Sequence, residues 1–168
     1  GLDTVLGPEM KSTGEAMGHG PNFGTAYLKA MKGGNKKIPT SGTVFVSISN
    51  KQKDDFTGLA KRLSKLGFEL IATKGTASHL RASKMDPKVI WRISDKKSPD
   101  ILSIMREGNV NLIVNIPTGK RAATDGAQMR RLAVELGIPF ITTITGAEAA
   151  IQSLEEGEND YLMPITKK

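Results

Sequence analysis

From residue 43 to residue 157 the chain alternates between a short apolar run and a stretch punctuated as a helix, five times over. The runs are "TVFVSI" (43–48), "FELIA" (68–72), "KVIWRI" (88–93), "NLIVNI" (111–116) and "PFITTI" (139–144). Nearly continuous apolar runs of this length fit strands buried on both faces, which means a parallel sheet covered by helices. The pattern therefore defines an α/β, doubly wound, three-layer α/β/α sandwich around a five-stranded parallel sheet with right-handed crossovers. Spacing alone leaves the strand order open.

The intervening helices carry start and stop signals. "QKDDFTGLAKRLSKLG" (52–67) aligns Phe56, Leu59, Ala60, Leu63 and Leu66 on one face, with Gly67 as its stop. "TASHLRASKM" (76–85) reads as a short helix. "SPDILSIMREG" (98–108) places Ser98 at the N-cap, Pro99 in the first turn and Gly108 at the end. "TDGAQMRRLAVELG" (124–137) turns Met129, Leu132, Ala133 and Leu136 inward, and "TGAEAAIQSLEEG" (145–157) opens on a Thr145–Glu148 capping box and ends at Gly157. The tail "YLMPI" fits an edge strand.

Ahead of this body, residues 1–21 hold five glycines and two prolines without periodicity and read as a connector. Residues 22–42 read as a helix over "NFGTAYLKAM" followed by a linker. The opening at Gly1 fits an excised fragment or a trimmed tag.

Composition narrows the chemistry. With no cysteine, thiol catalysis, disulfides and cysteine-bound zinc are excluded, and a reducing cytoplasm is the expected setting. No run approaches a membrane span in length. The net charge of +7 favours anionic partners, but aromatics make up 5% and do not interleave with the basic residues as on a nucleic-acid surface. His19 and His79 lack metal-ligand spacing.

In open parallel sheets ligands bind beyond the carboxyl ends of the strands. Those ends carry Ser49, Asn50, Lys51 and Lys53; then Thr73, Lys74, Gly75 and Thr76; then Arg92 with "SDKKS"; then Asn115, Thr118, Gly119, Lys120 and Arg121; and last Thr142, Thr143 and Thr145. Lysine, arginine, threonine and glycine dominate this edge, as in an anion site. Gly75 lets backbone approach closely, Thr76 offers a hydroxyl, and Lys53 and Arg92 neutralise charge. "TKGT" by itself is an ordinary cap and turn. Its convergence with other basic strand ends makes it a candidate phosphate grip. Asp86, Asp95 and Asp100 flank the third run, where turn and cap roles compete with that of a base.

"VLGPEMKSTGEAMG" (5–18) and "FGTAYLKAM" resemble the end of the second synthetase unit in carbamoyl phosphate synthetase large subunits. "GFELIATKGTA", "GNVNLIVNIPTGKRAATDGAQMRRLAVELGIPFITT" and "AEAAIQSL" resemble that subunit's C-terminal allosteric domain, which is similar to methylglyoxal synthase. The resemblance implies a strand order of 3-2-1-4-5, with residues 43–168 forming the allosteric domain and 1–21 the connector from the synthetase unit. It implies a domain without catalysis of its own, binding UMP, IMP and ornithine in an enzyme that makes carbamoyl phosphate from glutamine or ammonia, bicarbonate and ATP. It implies contact with the remainder of the large subunit and with the glutaminase small subunit. ATP, a divalent metal (Mg or Mn) and K belong to the parent enzyme, and no cofactor is expected in this chain.

By the same resemblance, Lys53, Thr73, Gly75, Thr76 and Arg92 hold the effector phosphate. Asn115, Pro117, Gly119 and Gly126 continue the nucleoside site, and Phe140 and Thr142 belong to the ornithine region. Arg92 replaces a lysine, Phe140 a tyrosine, and Pro117 and Gly126 residues that can offer hydroxyls. The alternative is a stand-alone methylglyoxal synthase acting on dihydroxyacetone phosphate. There the family's catalytic aspartate matches Ser98 and its active-site histidine falls near Ala122, with Asp100 two residues from the required place.

Overall fold

The computed structural model describes residues 39–117 and 119–162. The elements follow in the order β1 (Thr43–Ile48), α1 (Lys53–Lys65), β2 (Glu69–Ala72), α2 (Lys74–Ala82), β3 (Lys88–Val89), α3 (Ile101–Arg106), β4 (Leu112–Ile116), α4 (Gly119–Leu136), β5 (Phe140–Ile141) and α5 (Ile144–Leu162). Short 3-10 turns cover Asn50–Gln52 and Ile93–Asp95. The helix expected over 22–31 and the connector over 1–21 lie outside the described residues.

Ser41–Ala147 form one compact unit holding the entire sheet, and the described part of a second unit is residues 39–40 with the stretch of α5 from Glu148 onward. In that stretch Ser153 donates to the Ala149 carbonyl at 3.0 Å.

All five strands are parallel, in the order β3-β2-β1-β4-β5, as the family resemblance implies. β1 is central. Its Val44–Ile48 segment pairs with Leu112–Ile116, and its Thr43–Val46 segment with Glu69–Ala72. Successive side chains of a strand point to opposite faces. Phe45, Ile71 and Ile113 therefore share one face, where they pack with Ile101 and Met105 of α3 and Met129 and Ala133 of α4. Val44, Val46 and Leu70 share the other face, and α1 and α2 supply buried Phe56, Leu59, Leu63, Ala77 and Leu80.

Several boundaries differ from the sequence reading. The third strand ends at Val89 instead of running to Ile93. Beyond it the backbone stays extended but changes partner: Ile90 N–H donates to Ala72, while Trp91 bridges Asp100 through Trp91 N–H to Pro99 and Ile101 N–H to Trp91. That bridge holds Pro99 and Asp100 out of the helix. The cap of α3 is consequently Asp100, whose Oδ1 accepts from Ser103 N–H at 3.0 Å and from Ser103 Oγ at 2.8 Å, and not Ser98.

The fifth strand is only Phe140–Ile141, because Thr143 caps α5 by accepting from Gly146 N–H at 2.9 Å. Thr145 is not the cap, and α5 runs past Gly157 to Leu162, so the start of the "YLMPI" stretch is helical. α2 starts at Lys74 rather than Thr76. α4 starts at Gly119 rather than Thr124, and its opening residues "GKRAAT" carry no stripe of large apolar side chains by which the sequence could show it.

Leu136 is exposed instead of inward. The helix closes in a Schellman arrangement, with Gly137 N–H bonded to Val134 and Ile138 N–H to Ala133, and Ile138 takes the core position. α1, α2 and α3 end in the same pair of bonds, around Gly67, Lys84 and Gly108.

Candidate anion site at the strand ends

β2 hands over to α2 within a single residue. Thr73 is extended (φ −67°, ψ 161°) and its carbonyl accepts the first helical bond, from Ala77 N–H at 2.7 Å. The N–H groups of the first turn of such a helix have no partner within it, and they point away from the sheet with a partial positive charge. The Thr73 side chain does not cap them; its hydroxyl oxygen lies 3.4 Å from Ser47 Oγ and 3.3 Å from Thr76 Oγ1, with one proton to share between them.

Thr76 is 2% exposed and has a structural task. Thr73 N–H pairs with Val46 across the ladder. Ile48 N–H, the next donor on that side of β1, faces a backbone that has already turned into α2. Thr76 Oγ1 stands in for the missing strand and accepts it at 3.0 Å.

Lys53, the first residue of α1, bonds Asn50 Oδ1 through Nζ at 2.5 Å. The same Nζ lies 3.2 Å from where a Cβ at Gly75 would stand. An ammonium is thus parked against the first turn of α2, where a larger residue than glycine would make it give ground. The two helices are tied further along. Thr57 Oγ1 donates to Lys53 carbonyl at 3.0 Å, so His79 Nε2, 3.0 Å away, donates to the hydroxyl oxygen. Asp54 Oδ1 lies 3.4 Å from the same nitrogen. His79, which lacks metal-ligand spacing in the sequence, is a strut that fixes α1 against α2 and so helps place Lys53.

Arg92 ends the extended segment after β3 and opens the Ile93–Asp95 turn. Its Nε and Nη2 donate to Asp95 Oδ2 and Oδ1 at 3.4 and 3.1 Å, and its backbone N–H donates to Asp95 Oδ2 at 3.0 Å. That guanidinium holds the Asp95 carboxyl below its ordinary range, partial burial opposing it. The turn is fastened to α4, where Asp125 Oδ2 accepts from Ser94 N–H at 3.2 Å and from Ser94 Oγ at 2.8 Å.

Next to Asp125 on α4 stands Gly126. A Cβ there would come within 2.8 Å of Asn115 Nδ2 on β4. Asn115 is buried, and it is the register partner of Ser47. Ser47 therefore links the Thr73 cluster on one side to Asn115 on the other. Pro117 is exposed and Gly119 begins α4, both beyond the end of β4.

The ornithine-region pair divides. Thr142 follows the end of β5, whereas Phe140 is buried in the core cluster, with the Arg130 guanidinium carbon 5.4 Å from its ring centroid. Asp95 and Asp125 bear on the site, but the sequence reading assigns Asp95 only generic turn, cap or base roles and does not single out Asp125. In a helix starting at Thr124, Asp125 reads as a first-turn residue. In one starting at Gly119 it is interior and buried, and a buried carboxylate needs donors.

Among the described residues no group of three His, Cys, Asp or Glu side chains is placed to hold a metal ion. No helix among them is long and apolar enough to cross a membrane. A groove between the amino ends of β2 and β3, lined by Glu69, Arg81, Lys84, Asp86 and Lys88, lies at the opposite end of the sheet. It mixes both charge signs, and Arg81 is already engaged with Asp86 and with the Pro87 carbonyl.

Residues 55–142 match the family model of the MGS-like domain, and the chain belongs to that family. Its relatives are carbamoyl phosphate synthase large chains. It is 47% identical over 155 residues to the C-terminal section of the large chain from Methanocaldococcus jannaschii, a match that covers 92% of this chain and 25% of that protein. To the large chain from Corynebacterium glutamicum it is 44% identical over 159 residues, covering 92% of this chain and 14% of that protein. The chain thus spans a quarter or less of these relatives' length. The crystal structure of ForH shares the fold, with a TM-score of 0.51 and 18% identity over 70% of this chain and 81% of that one.

Proposed function

We propose that this chain is the effector-binding regulatory domain of a carbamoyl phosphate synthase large chain. A nucleoside monophosphate, UMP or IMP, sits at the carboxyl edge of its sheet. The observation that carries the reading is the cradle at the start of α2: Lys53 Nζ against Gly75, beside the buried pair Thr73 and Thr76. Unpaired helix N–H groups and an ammonium on one spot suit a phosphate. Asn115 and Gly126, across Ser47, offer an amide and a clear surface for the nucleoside. Arg92 adds the second cation.

In this reading the parent enzyme makes carbamoyl phosphate from glutamine or ammonia, bicarbonate and ATP in the cytoplasm. Its synthetase units carry ATP, the divalent metal and K, and a small subunit supplies glutaminase activity. The effector acts through a coupling free energy between this edge and the synthetase sites, reciprocal in both directions. Ornithine binds near Thr142, with its other contacts on the rest of the large subunit.

Calorimetric titration with UMP and IMP tests the proposal. Saturable binding that Lys53→Ala weakens at least tenfold supports it, and no binding of either at millimolar concentration removes it. The alternative, a lyase acting on dihydroxyacetone phosphate, needs a free carboxylate near Ser98. Asp100, the neighbour available, is committed to capping α3.

A further inference from the structure

The second cation of the site does not stand free. Arg92 is a half-exposed residue whose Nε–Nη2 edge is gripped by a carboxylate three residues on. The grip is not a loose surface pairing. Asp95 Oδ2 also accepts the Arg92 backbone N–H at 3.0 Å, so one carboxylate both closes the turn and holds the guanidinium. The turn is itself pinned to α4 through Ser94 and the buried Asp125, one residue from Gly126. Asp95 is therefore fixed beside the edge where an anion would arrive, and it already offers Arg92 the fork of acceptors that an anionic ligand would bring.

We infer that Asp95 is a built-in counter-ion that competes with the ligand for Arg92 and makes the site select phosphate monoesters over carboxylates. The inference rests on the proposed phosphate site and adds a specificity-determining residue to it. A ligand carboxylate is a monoanion with two oxygens, as Asp95 is, so exchanging one for the other gains little and meets the repulsion of the carboxylate it displaces. A phosphate monoester carries close to two negative charges at neutral pH and three terminal oxygens. It can engage the free Nη1 side of Arg92 and the Lys53 ammonium together and still outweigh the resident carboxylate. The positive groups nearest Asp95, Arg92 and Lys97, lower its pKa, so it remains charged throughout the physiological range and the competition persists there. Lys97 is itself drawn aside, its Nζ 4.4 Å from the Trp91 ring centroid.

The test compares UMP with the nucleoside whose 5′-phosphate is replaced by a carboxylate, titrated against the 168-residue protein and against Asp95→Asn and Asp95→Glu. Asp95→Asn removes the competing charge while keeping an acceptor for the turn. It should tighten UMP by roughly twofold and the carboxylate by roughly fivefold, the scale of a partly exposed ion pair. The preference for phosphate then shrinks, and Asp95→Glu restores it. Unchanged or weaker carboxylate binding by Asp95→Asn overturns the inference while leaving the phosphate site intact. If the wild-type protein binds UMP and Lys53→Ala binds it equally well, the site reading fails whatever Asp95 does. If wild type binds neither ligand, both fall.

Discussion

Asn115 Nδ2 stands 2.8 Å from the position a Cβ at residue 126 would take, so the side chain on β4 and the backbone of α4 share a gap that only glycine leaves open. Asn115 is 4% exposed and has little room to retreat. Gly126→Ala is expected to push the amide out of place at a cost of about 1–3 kcal/mol, typical of overpacking. In titrations the variant should lose nucleotide affinity while binding inorganic phosphate as before, because the Lys53–Gly75 cradle is untouched.

Thr76 substitutes for a strand where β2 has ended, its hydroxyl oxygen accepting Ile48 N–H at 3.0 Å. Thr76→Val keeps the shape and removes the acceptor. The orphaned N–H is buried, so urea denaturation should report a loss of about 1–3 kcal/mol. Thr76→Ser should restore most of it.

The Asp95 carboxyl is held below its ordinary value of 3.8, first by the Arg92 side chain and against partial burial. A depressed folded-state pKa gives stability that is present above the unfolded value and lost as pH falls through the folded one. The stability difference between wild type and Asp95→Asn should therefore be flat above about pH 5 and shrink below about pH 3.9, the ordinary Asp pKa. Urea midpoints across an acid series measure it, and a difference that grows on acidification would contradict the assignment.

Lys84 closes α2 with φ at 68°, the place that Gly67, Gly108 and Gly137 fill at the ends of α1, α3 and α4. An L residue there costs about 1 kcal/mol relative to glycine, partly offset by glycine's larger unfolded-state entropy. Lys84→Gly should raise the thermal midpoint modestly, and Lys84→Ala should not.

The central strands were legible because burial on both faces leaves an uninterrupted apolar run, and β1 coincides with "TVFVSI". The edge strands β3 and β5 were not. Only two residues of each pair with a neighbour, and the apolar residues beyond them serve a bridge to Asp100 or a helix cap, which periodicity cannot distinguish. Of the candidate site, Lys53, Thr73 and Gly75 could be placed at one edge from strand–helix punctuation alone. The pairing of Arg92 with Asp95 was hidden, because "RISDKK" reads as a strand end followed by a polar loop until the backbone is seen to coil. Asp125 was hidden for a different reason. Recognising it required the true start of α4, and that start carries no apolar signal.

β1 lies between two wings that reach it from opposite directions, β2 and β3 on one side, β4 and β5 on the other. At the carboxyl edge these wings meet across Ser47, which lies near Thr73 and sits in register with Asn115, and through Ser94, which donates to Asp125 of α4. A small molecule lodged there would work as a clasp on a fan. It would resist the twist of one wing against the other, so that occupancy of the edge would be turned into stiffness of the whole blade.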